Sequence, residues 1–218
     1  AGLAVYAQPR VLAVLFLGFS SGLPLALTGA TLSAWMTDSG VDLTVIGFFA
    51  LVGLPYTFKY LWAPLIDRIR VPWLSNKLGH RRAWLVLVQV LLALAIVLLA
   101  GIDPLEQPAA TAMIAVMVTF LSASQDIVID AFRIESLTQD QQGAGAAVYI
   151  GGYRIAMLVS GAGSLFLAEF YGWHISYLAM GALMAVGLAT VLISSEPAVS
   201  DERQAEEDLR LRQFESGA

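Results

Sequence analysis

The sequence predicts an all-α integral membrane protein of six transmembrane helices, and three observations carry that prediction. Apolar residues make up 58% of the 218 and charged residues only 13%, about half the charged share of an ordinary soluble domain. Six apolar runs, at approximately 10–37, 44–66, 83–101, 109–132, 144–169 and 174–194, are each near or above the roughly 20 residues that cross a bilayer. Lys and Arg are partitioned between alternate connections. Arg10, Arg68, Arg70, Lys77, Arg81, Arg82, Arg133 and the tail residues Arg203, Arg210 and Arg212 fall on one side, whereas Asp38–Asp42, Asp103–Gln107 and Tyr171–Trp173 carry none. The positive-inside bias then places both termini and the basic loop in the cytoplasm.

The first run is too long, and too rich in Gly, Ser and Pro, to be the apolar core of a cleaved signal peptide. Its Gly18 and Gly22 form a small-residue face, and Pro24 interrupts its backbone. The second run holds Pro55 and Pro64, which kink a helix or mark its ends, and it carries Lys59. The long connection from Asp67 to Arg82, broken by Pro72 and Gly79, joins it to the third run. The fourth run contains Gln125 and Asp126, and the fifth contains Arg154 with small residues at Gly143, Ala147, Gly151, Ala156, Ser160, Gly161 and Gly163. Such faces ordinarily let helix backbones approach closely, and less often line a path for substrate. Trp35, Trp62, Trp73, Trp84 and Trp173 lie at run ends and read as interfacial anchors. The chain therefore divides into a helical bundle over 1–195 and a solvated acidic tail or linker over 196–218.

Asp126 is the most informative residue. A carboxylate at membrane depth costs a few kcal/mol or more, and aspartate is too short to reach the headgroups from there. Counted from the basic ends at 1.5 Å per residue, Asp126 lies roughly 10 Å in, Lys59 roughly 12 Å and Arg154 roughly 15 Å. Similar depth on three helices makes an ion-pair network feasible and suits a path for something polar. Lys59 could instead extend its ammonium to the headgroups, and Gln125, about 100° around the helix from Asp126, could be a helix–helix donor. Asp130, one turn nearer the cytoplasm, is expected to pair within the basic loop. With no cysteine there is no disulfide or thiol chemistry, and no nucleophile–base pair, metal-ligand cluster or phosphate loop appears. The reading is a transporter with no cofactor, no metal and no nucleic-acid partner, rather than an enzyme.

At Pro64-Leu-Ile-Asp67-Arg68 and Gly79-His-Arg81-Arg82 the chain resembles the major facilitator superfamily, which carries a Gly-x-x-x-Asp-Arg-x-Gly-Arg-Arg type motif between its second and third helices. The leading glycine is replaced and the segment between Arg68 and Gly79 is longer. Both departures resemble the AmpG-type muropeptide permeases, as do Phe58-Lys59-Tyr-Leu-Trp-Ala-Pro64, Ser122-Ala-Ser-Gln-Asp-Ile-Val-Ile-Asp130-Ala and Gly151-Gly-Tyr-Arg154. The resemblance implies the N-terminal six-helix half of a major facilitator type transporter in the bacterial inner membrane, importing anhydro-muropeptides with protons. Its partners would be the muropeptide, protons, the lipid bilayer, and either a missing C-terminal half or a second copy. The chain is expected to be a fragment, with a dimerising half-transporter as the alternative. Asp126, Arg154, Lys59 and Gln125 would serve substrate or proton coupling, and Asp67, Arg68, Gly79, Arg81, Arg82 and Asp130 a gating latch. A carrier of acetyl-coenzyme A, or a non-transporting scaffold on the same half-fold, stays open.

Overall fold

The computed structural model describes residues 4–197, and every element among them is helical. The expectations for the tail beyond residue 197, including Arg203, Arg210 and Arg212, fall outside the described residues. Five segments are long and apolar enough to cross a membrane: Pro9–Asp38, Leu43–Leu61, His80–Ala100, Pro108–Ser136 and Gln139–Ile193. The last has 55 residues, a length of roughly 80 Å as a straight helix, and it doubles back. Gly172 has φ 82° and ψ 163°, a left-handed conformation that favours glycine. On either side of it Ser164 and Ser176 share a 2.7 Å hydrogen bond, although they would stand roughly 18 Å apart in a continuous helix.

The first segment comprises α1 (Pro9–Thr28) and α2 (Ala30–Asp38). Pro24 has no N–H for the preceding turn, and helical geometry lapses at Gly29, with φ −102° and ψ −108°. The second segment is pieced from α3 (Leu43–Phe48), α4 (Leu54–Phe58) and α5 (Ala63–Arg68) with 3₁₀ turns between them. Pro55 and Pro64 sit in the first turns of α4 and α5, where a missing N–H leaves nothing unpaired. Asp42 caps α3 by accepting the Thr44 N–H at 2.7 Å, and hydrogen bonding from Thr44 holds its carboxyl below the usual range. The remaining elements are a 3₁₀ turn at Ala4–Ala7, α6 (Leu74–Leu78), α7 (His80–Ala100), α8 (Pro108–Ser136), α9 (Gln139–Leu158), a π-helical turn at Val159–Gly163, α10 (Ser164–Leu183) and α11 (Ala185–Ile193).

α1 is the central helix, packed on α8, α9 and α11, while α7 packs on α8 and α10. Its glycines explain the closest pairing: a Cβ at Gly18 or Gly22 would overlap the Tyr149 or Tyr153 carbonyl of α9, and one at Gly152 the Leu15 carbonyl of α1. The packing reading thus holds for Gly18 and Gly22, and on the fifth run for Ala156 and Ser160, both fully buried, but not for Gly143, Ala147, Gly151 and Gly161. Nothing among the described residues lies within 4 Å of a Cβ at Gly143, Gly151 or Gly161, and Ala147 is exposed. The face of α9 that meets α1 is the neighbouring one, through Tyr149, Gly152, Tyr153 and Ala156. Trp35 also departs from expectation. Because the chain bends at Gly29, it turns inward, is 6% exposed, stacks on Trp173 at 6.0 Å and touches the Tyr177 ring at 4.9 Å. Trp73 remains exposed, as an anchor should.

Candidate functional site

Asp126 sits mid-way along α8 and is 8% exposed. Its Oδ1 accepts a hydrogen bond from the Ser21 hydroxyl of α1 at 2.5 Å. Ser21 Oγ also lies 2.9 Å from the Tyr149 hydroxyl of α9. One serine has one proton to give. With that proton directed at an ionised Asp126, Tyr149 is left to donate across the contact from α9. Three helices therefore meet at one buried hydroxyl–carboxylate chain, which the α1–α9 backbone approach makes short enough to close.

The neighbouring pair repeats the connection one residue earlier. Gln125 Nε2 donates to Ser20 Oγ at 3.5 Å, so Gln125 acts as a helix–helix donor on the face adjoining Asp126. Gln89 of α7 is buried beside them, and neither of its side-chain polar atoms, nor Gln125 Oε1, has a hydrogen-bond partner among the described residues. Tyr56 Oη and Ser122 Oγ, near Asp126, are buried and face each other.

The two membrane cations are placed differently from each other. Lys59, in the 3₁₀ turn Lys59–Leu61, is half-buried and close enough for its charge to be felt at Asp126. Arg154 is exposed on the open face of α9, with Gly143, Ala147, Ile150 and Leu158. No salt bridge among the described residues joins Asp126 to either cation, and the feasible network is not formed. The reason is helical phase: Tyr153 faces α1, which turns Arg154 about 100° away.

At the basic end of the bundle, Arg81 is 12% exposed and bridges two carboxylates, Asp67 of α5 at 2.6 Å and Glu135 of α8 at 2.8 Å. Its Nε donates to the second Glu135 oxygen at 3.1 Å, completing a two-pronged contact. Asp130, expected to pair with the basic loop, pairs instead with Arg133 on its own helix at 3.6 Å. It is Glu135, beyond Asp130 on the same helix, that reaches the loop. Arg82 does not join the latch. Its guanidinium donates to the carbonyls of Val191 and Leu192, both at 3.0 Å, tying α7 to the end of α11. Arg68 is exposed. Gly79 has φ 91°, and a Cβ there would overlap the Glu196 carboxylate. That carboxylate accepts the Arg81 and Arg82 backbone N–H groups at 2.8 and 3.1 Å, where the helix N-terminus favours negative charge.

Sequence reasoning missed Ser21, Tyr149, Glu135 and Glu196. The small-residue run around Gly18–Gly22 was the available signal for Ser21, because a helix that approaches so closely brings its serines within reach. Among the described residues no three His, Asp or Glu converge to hold a metal ion.

The profile of the Major Facilitator Superfamily matches residues 14–216. The chain belongs to that superfamily. Among curated proteins it is 47% identical over 196 residues to the anhydromuropeptide permease of Escherichia coli K12, covering 89% of this chain and 39% of that protein. The permease of Escherichia coli O157:H7 gives the same figures. An uncharacterized protein of Haemophilus influenzae is 40% identical over 191 residues, covering 87% of this chain and 44% of its own. The chain spans about two-fifths of the length of these relatives. With its apolar helices, this superfamily member is a multi-pass membrane protein of bacterial type.

Proposed function

We propose that this chain is the N-terminal half of a permease that imports anhydro-muropeptides into the cytoplasm with protons. The observation that carries the proposal is the 47% identity to a permease of that name along nearly the whole chain, which favours this cargo over acetyl-coenzyme A. The reversal at Gly172 divides the long last segment into a fifth and a sixth span, giving a six-helix bundle over 1–195 with 196–218 as tail or linker. The basic end faces the cytoplasm, by the distribution of Lys and Arg, in the inner membrane. Asp126 is the proton-coupled carboxylate, supported by its burial and its Ser21 hydrogen bond. Lys59 tunes it, Gln125 holds α8 against α1, and Arg154, exposed and cationic, attracts the anionic cargo. The latch of Arg81 with Asp67 and Glu135 governs access from the cytoplasmic side.

The test is uptake of labelled anhydro-muropeptide by the intact transporter in vesicles, with and without an imposed proton gradient. Asp126→Asn should keep counterflow exchange and lose gradient-driven accumulation, and Arg154→Gln should raise KM. Unimpaired accumulation by Asp126→Asn, or accumulation of labelled acetyl-coenzyme A in its place, would overturn the proposal. Full activity in the double variant Asp126→Asn/Lys59→Gln would reduce Asp126 to half of an electrostatic pair.

A further inference from the structure

Resting on the reading of Asp126 as the coupling carboxylate, we propose that Ser21 and Tyr149 form a hydroxyl relay carrying the proton between Asp126 and the cytoplasmic side. The links are 2.5 Å from Ser21 Oγ to Asp126 Oδ1 and 2.9 Å from Tyr149 Oη to Ser21 Oγ, both within hydrogen-bond range. When Asp126 is ionised, proton count sets the donor order. The carboxylate only accepts, Ser21 gives it its single proton, and Tyr149 therefore donates to Ser21. This orientation is the one needed to deliver a proton to Asp126.

The step balances atom by atom. The Ser21 O–H bond breaks as an O–H bond forms on Asp126. The Tyr149 O–H bond breaks as Ser21 regains a proton, and Tyr149 is reprotonated by a hydronium ion, which leaves as water. The net result is one proton moved from hydronium to the carboxylate, with both hydroxyls restored and reversed in direction. Tyr149 is the wet end, since it is half-buried whereas Ser21 is 1% exposed. It also lies toward the basic end, its ring 5.9 Å from the Arg133 guanidinium.

Other groups face the path without completing it. Tyr153 of α9 lies beside Tyr149 with ring centres 6.2 Å apart. Lys59 of the 3₁₀ turn and Asp130 of α8 act on Asp126 through charge alone, and Tyr56 of α4 is a neutral hydroxyl facing Ser122. Ser21 positions the carboxylate as well as relaying, so a change there mixes two effects. Tyr149 bonds to Ser21 rather than to Asp126, and its hydroxyl can be removed with the ring left in place.

The experiment therefore compares Tyr149→Phe with Tyr153→Phe and Asp126→Asn in the intact transporter, in vesicles with labelled anhydro-muropeptide. A relay predicts that Tyr149→Phe lowers gradient-driven accumulation on the order of 100-fold, the low end for losing a positioned proton donor. Counterflow exchange, which moves no net proton, should be unchanged, and Tyr153→Phe should match wild type. Wild-type accumulation should also slow in D₂O, and that isotope effect should change in Tyr149→Phe. Normal accumulation in Tyr149→Phe overturns the relay, as does an equal loss of accumulation and exchange, which would mark a packing role. Normal accumulation by Asp126→Asn, or no uptake of the label by wild type, overturns the relay together with the coupling or cargo assignment beneath it.

Discussion

Glu135→Gln tests how the latch at the basic end divides its strength. Arg81 holds Glu135 by two bonds, at 2.8 and 3.1 Å, and Asp67 by one, at 2.6 Å. Glu135 is 18% exposed and Asp67 49%, so water screens the shorter contact more. Hydrogen bonds to charged groups contribute about 1.5–3 kcal/mol when sheltered, and exposed ion pairs about 0.2–1 kcal/mol. Glu135→Gln retains an acceptor but loses the charge and the second prong, a loss of about 2 kcal/mol. At 1.4 kcal/mol per decade, the balance between the two access states should shift by roughly 30-fold. Asp67→Asn, at the upper limit of about 1 kcal/mol, should shift it by roughly fivefold or less. The chain has no cysteine, so alkylation rates at single introduced cysteines on either side of the membrane report that balance. An Asp67→Asn effect larger than that of Glu135→Gln would refute the ranking by burial. A severe loss of substrate affinity with no change in accessibility would refute the latch itself.

Two further outcomes follow from packing and topology. Gly22→Leu should collapse the folded yield, because even a Cβ there meets the Tyr153 carbonyl of α9. Gly151→Leu, on the open face of the same pair, should fold normally, and equal tolerance of both in thermal unfolding would contradict the α1–α9 contact. A cysteine at exposed Asn76 should resist impermeant reagents in sealed cells while one at exposed Glu106 reacts, and the reverse pattern would invert the orientation.

The five membrane-length segments were legible because bilayer thickness imposes a length and an apolar composition that the chain cannot hide. The run read at 109–132 became α8 at Pro108–Ser136, and Pro55 and Pro64 fell in first turns, while Pro24 lies inside α1, a turn before the lapse at Gly29. Asp126 was legible for the same reason, since a carboxylate there stands out against its surroundings. Its partners were not. Ser21 is an unremarked residue in a Gly/Ser stretch, 105 positions away, and only the register of α1 against α8 makes it a ligand of the carboxylate. Helical phase was equally hidden. The stripe Gly143–Ala147–Gly151 and the parallel one through Gly152 and Ala156 look alike in sequence, and choosing between them requires knowing where α1 lies. That choice also decided Arg154, which follows the open stripe outward. Glu135 was overlooked in favour of Asp130 because one-turn spacing was counted without knowing which way α7 approached.

The glycine contacts between α1 and α9 also bear on mechanics. Backbone against backbone, at Gly18, Gly22 and Gly152, leaves no flexible side chain in between to absorb sliding, so the two helices behave as one stiff rod. Ser21 and Tyr149 ride on that rod, and their spacing is preserved however the bundle rocks. Asp126 rides on α8, which meets α1 through side chains such as Ser20 and Gln125. Any strain imposed during a cycle is therefore concentrated at the α1–α8 seam, where a displacement of about two ångströms would break the bond from Ser21 to Asp126 and leave the bond from Tyr149 to Ser21 intact.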